Sequence, residues 1–338
     1  MKINLNQALE LLNNKDIIAI PTETVYGLAA RYDQKDAIQK IFKTKERPES
    51  NPLILHIGNL DPLAELKKLV LRIPDYVPKL IQQCWPGPLT LVFYKKPQID
   101  DLITANQNTL AIRMPKHPLT LELINQLGAP LVAPSANKFC KLSPTSAGEV
   151  ESALGFDIPV LDGGPCSVGI ESTIVSVLHD KHLDILRPGM ITADTLIQIT
   201  GLPCHESWRN KQAHQQSLIK TPGAYLVHYA PNKPLFLIDR SYQNHSEDFF
   251  KLLEKINQYQ SFDYLTFQKK EFLSQKNMNQ INQIIMPANA QAYAEKLYGL
   301  LHQADSSNHE AILIDLPKEE PEWLGIKDRL FKAGILLS

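Results

Sequence analysis

The chain has 338 residues, 43% hydrophobic and 21% charged, which favours two domains over one because a single core stops growing near ~250–300 residues. Its 35 basic and 36 acidic side chains nearly cancel, which argues against wholesale binding of nucleic acid or a membrane surface but leaves room for a local basic patch. No apolar run approaches the ~18 residues of a membrane span. The opening "MKINLNQALELLNN" lacks the continuous apolar stretch of a signal peptide.

In chain order, Asn4 caps a first helix with Gln7 as its capping-box partner, and Leu5, Ala8, Leu9 and Leu12 form the apolar face. Ile17–Ile20 reads as a buried strand that breaks at Pro21 into Thr22, Glu23 and Thr24, followed by a small-residue helix start at Gly27. "DAIQKIFKTKERP" is a helix stopped by Pro48, and "PLILHI" (52–57) is a strand. "PDYVPKLIQQC" is a helix leading through Pro86-Gly87-Pro88 to a strand at Leu89–Tyr94. "TLAIRMP" (109–115) and "PLVAPSAN" (130–137) are further strands, and "STIVSVL" (172–178) with "LDILRPG" (183–189) forms a hairpin.

Short apolar strands alternating with helices predict an α/β sheet over residues 1–201, with several strands running into proline and a polar cluster. Open α/β sheets place ligands beyond such strand ends. Residues 202–233 are polar, longer than an ordinary connection, and read as a functional or disordered linker. A smaller α/β unit follows at 234–338. The cysteines Cys84, Cys140, Cys166 and Cys204 are irregularly spaced, complete no zinc motif, and read as reduced thiols of a cytosolic protein.

The usual nucleotide and hydrolase signatures are missing: there is no Walker loop, no Gly-x-Gly-x-x-Gly and no Gly-x-Ser-x-Gly. What remains is a set of polar residues at strand and helix ends. Lys45 and Arg47 close the helix before Pro48. They fit a solvated cationic C-terminus that complements the helix dipole, or a polyphosphate clamp. His56 lies in an apolar strand, as a core histidine or a ligand contact. Arg113, also within an apolar strand, needs an anion, and either a bound carboxylate or an internal Asp or Glu would serve. Ser135, Asn137, Lys138, Lys141 and Ser143 follow a strand, as a turn or as an anion site. "DGGPCSVGIESTIV" brings Ser167, Ser172 and Thr173 into a glycine-rich loop suited to anions. Arg187 ends a strand before Pro188. Basic groups gathered at the edge of one sheet in a neutral chain point to a small anionic ligand.

The ordered motifs "PTETVYGL", Lys45-Glu46-Arg47-Pro48, "NPLILHI", "WPGPLTLV", "AIRMPKHP", "APSAN", "SVGIEST" and "ILRPG" closely resemble the YrdC-type L-threonylcarbamoyladenylate synthases over nearly all of residues 5–200. The length and tail resemble the long, two-domain form. The resemblance implies an α/β fold with an open, twisted mixed sheet and a basic concave face, plus a smaller C-terminal Rossmann-like α/β domain. It implies condensation of L-threonine, bicarbonate or CO2, and ATP into threonylcarbamoyl-AMP and pyrophosphate, with Mg2+ on the phosphates. That is the first step of N6-threonylcarbamoyladenosine formation at position 37 of tRNA, and it implies tRNA and a threonylcarbamoyl-transferase complex as partners.

Carried over by motif position, Thr24, His56, Arg113, Ala133 and Ser172 or Thr173 hold threonine. Lys45 and Arg47 act in catalysis, and with Asn51, Thr109, Ser135, Asn137, Ser143 and Arg187 they surround ATP. Tyr229 of "HYAP" closes a lid over the nucleotide. In the linker the chain departs from the family's Pro-Gly-Met and the basic residues after it, with Ala224, Leu226 and Val227 in their place. Two other classes share these features. One is a non-enzymatic RNA-binding module of the same fold. The other is the carbamoyl-transfer domain of hydrogenase-maturation proteins, whose zinc-finger cysteine pairs and acylphosphatase segment this chain does not carry.

Overall fold

The computed structural model describes residues 1–58, 61–209, 222–223, 228–242, 246–275 and 280–337. Half of the predicted lid, 202–233, falls outside them: 210–221 and 224–227, which include Ala224, Leu226 and Val227, are not described. The chain divides into two compact units, Met1–Phe139 with Ser143–Ala224, and Cys140–Leu142 with Tyr225–Ser338.

The first unit is built on an 11-stranded mixed sheet. Its strands are β1 (Lys2–Ile3), β2 (Ile18–Ile20), β3 (Gly27–Arg31), β4 (Ile54–His56), β5 (Leu89–Tyr94), β6 (Thr109–Arg113), β7 (Leu131–Val132), β8 (Val160–Leu161), β9 (Thr173–Ser176), β10 (Leu183–Arg187) and β11 (Cys204–His205). The spatial order is β1-β8-β2-β3-β7-β4-β6-β5-β9-β10-β11. The first helix, Leu5–Asn13, carries the predicted capping box, with Asn4 and Gln7 satisfying each other's backbone N–H. The predicted hairpin is also present, as β9 antiparallel to β10.

One sequence expectation is overturned. The small-residue run after Tyr26 is not a helix but strand β3, antiparallel to both β2 and β7. Ala29 and Ala30 are fully buried there. A Cβ on Gly27 would lie 3.0 Å from the Cβ of Ala133. Small side chains, read locally as helix formers, here let three strands meet closely, and tertiary pairing overrides propensity. "PLVAPSAN" is likewise a strand only over Leu131–Val132, after which Pro134 supplies no N–H to the ladder.

Alternation along the central strands separates two faces. Leu55, Leu91, Phe93, Leu110, Ile112 and Val175 point into the main core with Ile38, Ile41, Phe42, Leu66 and Leu80 from the helices. At roughly 1.5–3 kcal/mol for each fully buried side chain, this face fixes the register. The opposite face carries His56, Thr90 and Arg113 in one row, paired across β4–β6–β5. A small apolar floor of Ile54, Val92, Ala111, Ile174 and Leu186 lies beside them.

The second unit has a five-stranded, all-parallel sheet in the order β14-β13-β15-β12-β16. Its strands are β12 (Leu235–Ile238), β13 (Phe262–Thr266), β14 (Ile281–Ile285), β15 (Ala311–Asp315) and β16 (Ile335–Leu337). Helices Ser246–Glu254, Ala290–Ser306 and Leu324–Ala333 connect them. Among the described residues no helix is long and apolar enough to cross a membrane, and all four cysteines are free thiols.

Candidate active site

The turn between β2 and β3 is held by hydroxyls. Thr22 Oγ1 donates to the carbonyl of Val25 (2.7 Å), accepts the Val25 N–H, and lies 2.9 Å from Thr24 Oγ1. This lock presents Glu23 and Thr24, both buried, to the end of β6. Arg113 meets them there. Its Nη1 donates to Thr24 Oγ1 (2.8 Å), its Nε to the carbonyl of Gly87 (3.3 Å), and its Nη2 lies 2.6 Å from Glu23 Oε1. The other Glu23 oxygen accepts the Lys116 N–H at 2.8 Å. Of the two anions that the sequence allowed for Arg113, the internal acid is therefore present, and it is Glu23.

His56 lies beside Arg113 in register on β4, with Nδ1 3.2 Å from the Ile54 carbonyl. Burial, reinforced by the neighbouring guanidinium, pushes its pKa down to about 3, so the ring is neutral. On the other side of Arg113 stands Thr90, whose hydroxyl lies 2.7 Å from Ser172 Oγ. Arg187, buried at the end of β10, clasps the same serine, through Nη2 to its Oγ and Nε to its carbonyl, both at 3.1 Å. A third N–H of Arg187 reaches the Pro222 carbonyl at 3.2 Å. Thr24, Arg113, His56, Thr90, Ser172 and Arg187 thus form one continuous polar run.

Thr173 behaves differently from Ser172. Its hydroxyl donates to the Ile191 carbonyl (2.9 Å) and accepts the Ile191 N–H (3.1 Å), bracing the loop after β10. Gly189 passes so close that a Cβ there would sit 2.5 Å from the Thr173 nitrogen.

A second group of predicted residues gathers at the end of helix Lys35–Lys45. Glu46 takes a left-handed conformation (φ 54°) and Arg47 N–H bonds back to the Phe42 carbonyl, ending the helix. Lys45 is not the solvated terminal cation that its position suggests. It is 1% exposed, and its ammonium donates to the carbonyls of Ser135 and Asn137, each at 2.5 Å. Arg47 is also buried, with Nε on the Asn51 carbonyl (3.3 Å) and Nη2 on the Pro52 carbonyl (2.8 Å). The Asn51 side chain is 2% exposed, yet neither atom of its amide hydrogen-bonds to a protein group among the described residues.

Ser143 donates to Glu171 Oε1 at 2.6 Å, both buried. Ala133 sits against β4 through its N–H on the Ile54 carbonyl, and Thr109 starts β6 on the polar face, four pairs along from Arg113. Lys138 lies apart: it pairs at the surface with Glu46. Tyr229 belongs to the second unit, its ring 4.0 Å from that of His228 and 5.4 Å below the guanidinium of Arg329. Sequence reasoning left out Thr90 and Glu171, and left Glu23 without a role. The signal for Thr90 was one hydroxyl on the polar side of an apolar strand.

Residues 10–189 match the Sua5–YciO–YrdC family model, described as "Telomere recombination", and residues 191–334 match the model for the C-terminal domain of threonylcarbamoyl-AMP synthase. The chain belongs to this family. The threonylcarbamoyl-AMP synthase of Bacillus subtilis is 34% identical over 97% of this chain and 92% of its own. That of Schizosaccharomyces pombe is 34% identical over 98% and 88%. A crystal structure of Pyrococcus abyssi Sua5 complexed with L-threonine is similar at TM-score 0.86 and 28% identity, covering all of both chains. Both domains of the long synthase form are thus represented, and the fold expected from the motifs is the one observed.

Proposed function

We propose that the chain is a threonylcarbamoyl-AMP synthase that joins L-threonine, bicarbonate or CO2, and ATP, and releases pyrophosphate. The likeness to named synthases along the whole chain carries this reading. The buried run Thr24–Arg113–His56 supports it, because it is shaped for a small zwitterion rather than for a long polyanion.

In this reading the threonine carboxylate docks at Arg113. A guanidinium has five N–H donors, and the contacts to Gly87, Thr24 and Glu23 leave others for a ligand. Neutral His56, Ala133 and Ser172 line the rest of the amino-acid site, while Thr173 acts by bracing the loop. The threonine amine attacks CO2, gives up a proton and becomes a carbamate. A carbamate oxygen then attacks the α-phosphorus in line, and the bond from that phosphorus to the bridging oxygen of the pyrophosphate breaks. No covalent enzyme intermediate is needed, so catalysis is positioning plus electrostatic stabilisation.

Lys45, Arg47 and Arg187 offset the phosphate charge. Asn51, Thr109, Ser135, Asn137 and Ser143 contact the nucleotide, and Asn51 holds a buried donor and acceptor ready for it. Tyr229 covers the nucleotide, a role resting on the match of "HYAP" to the family. The donor set is cationic and amide-rich, and its carboxylates Glu23 and Glu171 are bonded to protein partners. It suits a Mg2+ carried on the nucleotide phosphates, where the ion supplies charge neutralisation, better than a protein cage for the metal. The product feeds transfer to adenosine 37 of tRNA in the cytosol.

Pyrophosphate release from ATP, measured with and without threonine and bicarbonate, tests this. Turnover that requires both is expected; turnover independent of threonine, or none, overturns the reading.

A further inference from the structure

The far end of β10 from Arg187 carries a cluster that the synthase chemistry does not use. His179 and His182 lie in the connection from β9 to β10, Asp184 is on β10, and His205 sits opposite Asp184 in register on β11. The three imidazoles stack in a row: His179 on His182 with centroids 4.4 Å apart, and His182 on His205 at 4.6 Å. Asp184 bridges two of them, with one oxygen 3.4 Å from His182 Nε2 and the other 3.5 Å from His205 Nδ1. The Ser207 hydroxyl also donates to it at 3.1 Å. No lysine or arginine pairs with Asp184 among the described residues. The turn is anchored from outside, since Tyr76 Oη donates to the His179 carbonyl (2.7 Å) and Arg72 pairs with Asp180.

We propose that His179, His182 and Asp184, with His205 as the fourth ligand, bind a divalent transition-metal ion of the imidazole-preferring class, such as zinc. One ligand atom each from His179, His182 and Asp184 already lies within 4.8 Å of the others. A tetrahedral zinc with bonds of about 2.0–2.1 Å separates its ligand atoms by roughly 3.3 Å. The His182–Asp184 and His205–Asp184 distances, 3.4 and 3.5 Å, already come near this, and the His179 nitrogen has to close in from within 4.8 Å. Three neutral nitrogens and one carboxylate suit zinc, nickel or copper far better than magnesium or calcium. The Ser207 hydroxyl supplies the outer hydrogen bond that orients a ligating carboxylate. The bound ion would cross-link the β9–β10 turn to β11, the last strand before the connection to the second unit.

The test is calorimetric titration of the untagged, chelator-stripped full chain with zinc chloride near neutral pH, followed by a cobalt absorption spectrum. One ion per chain is expected, with a thermal midpoint that rises with zinc. The double variant H179A/H182A should lose affinity by about tenfold or more and lose the thermal shift, while its circular dichroism and zinc-free synthase turnover stay as in the parent. If that variant does not fold, the single variants H182N and H205N serve, and each should bind more weakly. Absence of saturable binding, full affinity in these variants, or thiolate charge-transfer bands marking a cysteine site would overturn the proposal.

Discussion

Glu23 in the first unit and Asp315 in the second are both buried carboxylates at strand ends, and they keep different company. Asp315 is closed in by its own sheet: Tyr264 Oη donates to one oxygen (2.5 Å), Thr266 Oγ1 to the other (2.7 Å), and Lys270 stands 3.6 Å away. Burial pushes both the Asp315 carboxyl and the Tyr264 phenol up, and neighbouring donors only partly offset it for the acid. Glu23 faces a full guanidinium at 2.6 Å, and that guanidinium opens onto a row of further polar groups, His56, Thr90, Ser172 and Arg187. A buried acid with just enough donors marks structure. A buried pair with more polar neighbours than neutralisation requires marks a place for a ligand.

The sharpest way to break this contrast is to remove one member of the first pair. Arg113→Ala leaves Glu23 buried without a counter-ion and should cost about 3–5 kcal/mol in urea unfolding. The paired change Arg113→Met with Glu23→Leu should recover most of that stability and none of the turnover. If the double variant turns over threonine normally, the pair is structural like its counterpart.

Next in size, Arg47→Ala or Lys45→Ala should lower pyrophosphate release by roughly 10²-fold or more, since charge-assisted contacts are worth about 1.5–3 kcal/mol each. Near-parental rates in both would remove the phosphate clamp from the mechanism.

His56 gives a smaller, pH-dependent effect. Its folded pKa of about 3 lies below the ordinary 6.5, so the unfolded chain takes up the proton first. The stability contribution is whole above pH 6.5 and is lost as pH falls toward 3. Between neutrality and about pH 5 this amounts to about 2 kcal/mol. His56→Asn should flatten that limb of the stability profile, and an unchanged slope would argue against a neutral buried ring.

The smallest effect is expected in the second unit. Asp315→Asn keeps one acceptor and should cost about 1 kcal/mol with turnover intact. A large loss of turnover would give that cluster a part in the reaction.

Much of the first unit was legible because its signals are local. The capping box at Asn4, the proline stops and the apolar strands with polar exits each depend on near neighbours. What was misread depended on distant ones. "GLAAR" carries no mark that two strands will close on it, and β14, "INQII", alternates too weakly to stand out from a loop. At the site, residue types were readable but partners were not. Arg113 plainly needed an anion, yet Glu23 is 90 positions away in sequence and meets it only because the Thr22 turn turns it inward. Lys45 looked like a solvated helix end, and only the fold brings two carbonyls of the 133–139 loop onto it. His179, His182 and His205 look like scattered surface histidines until β11 pairs with β10.

Asn51 carries a consequence for how this protein can change. Its amide is buried with a donor and an acceptor that no protein group among the described residues meets, and leaving such groups unmet costs about 1–3 kcal/mol. Asn51→Leu, which keeps the γ-branched shape, removes that penalty and should make the ligand-free protein sturdier while it weakens nucleotide capture. A selection for heat resistance alone would therefore be drawn to this position. A lineage that lost its need for the reaction could be recognised by an apolar residue here, well before its fold began to erode.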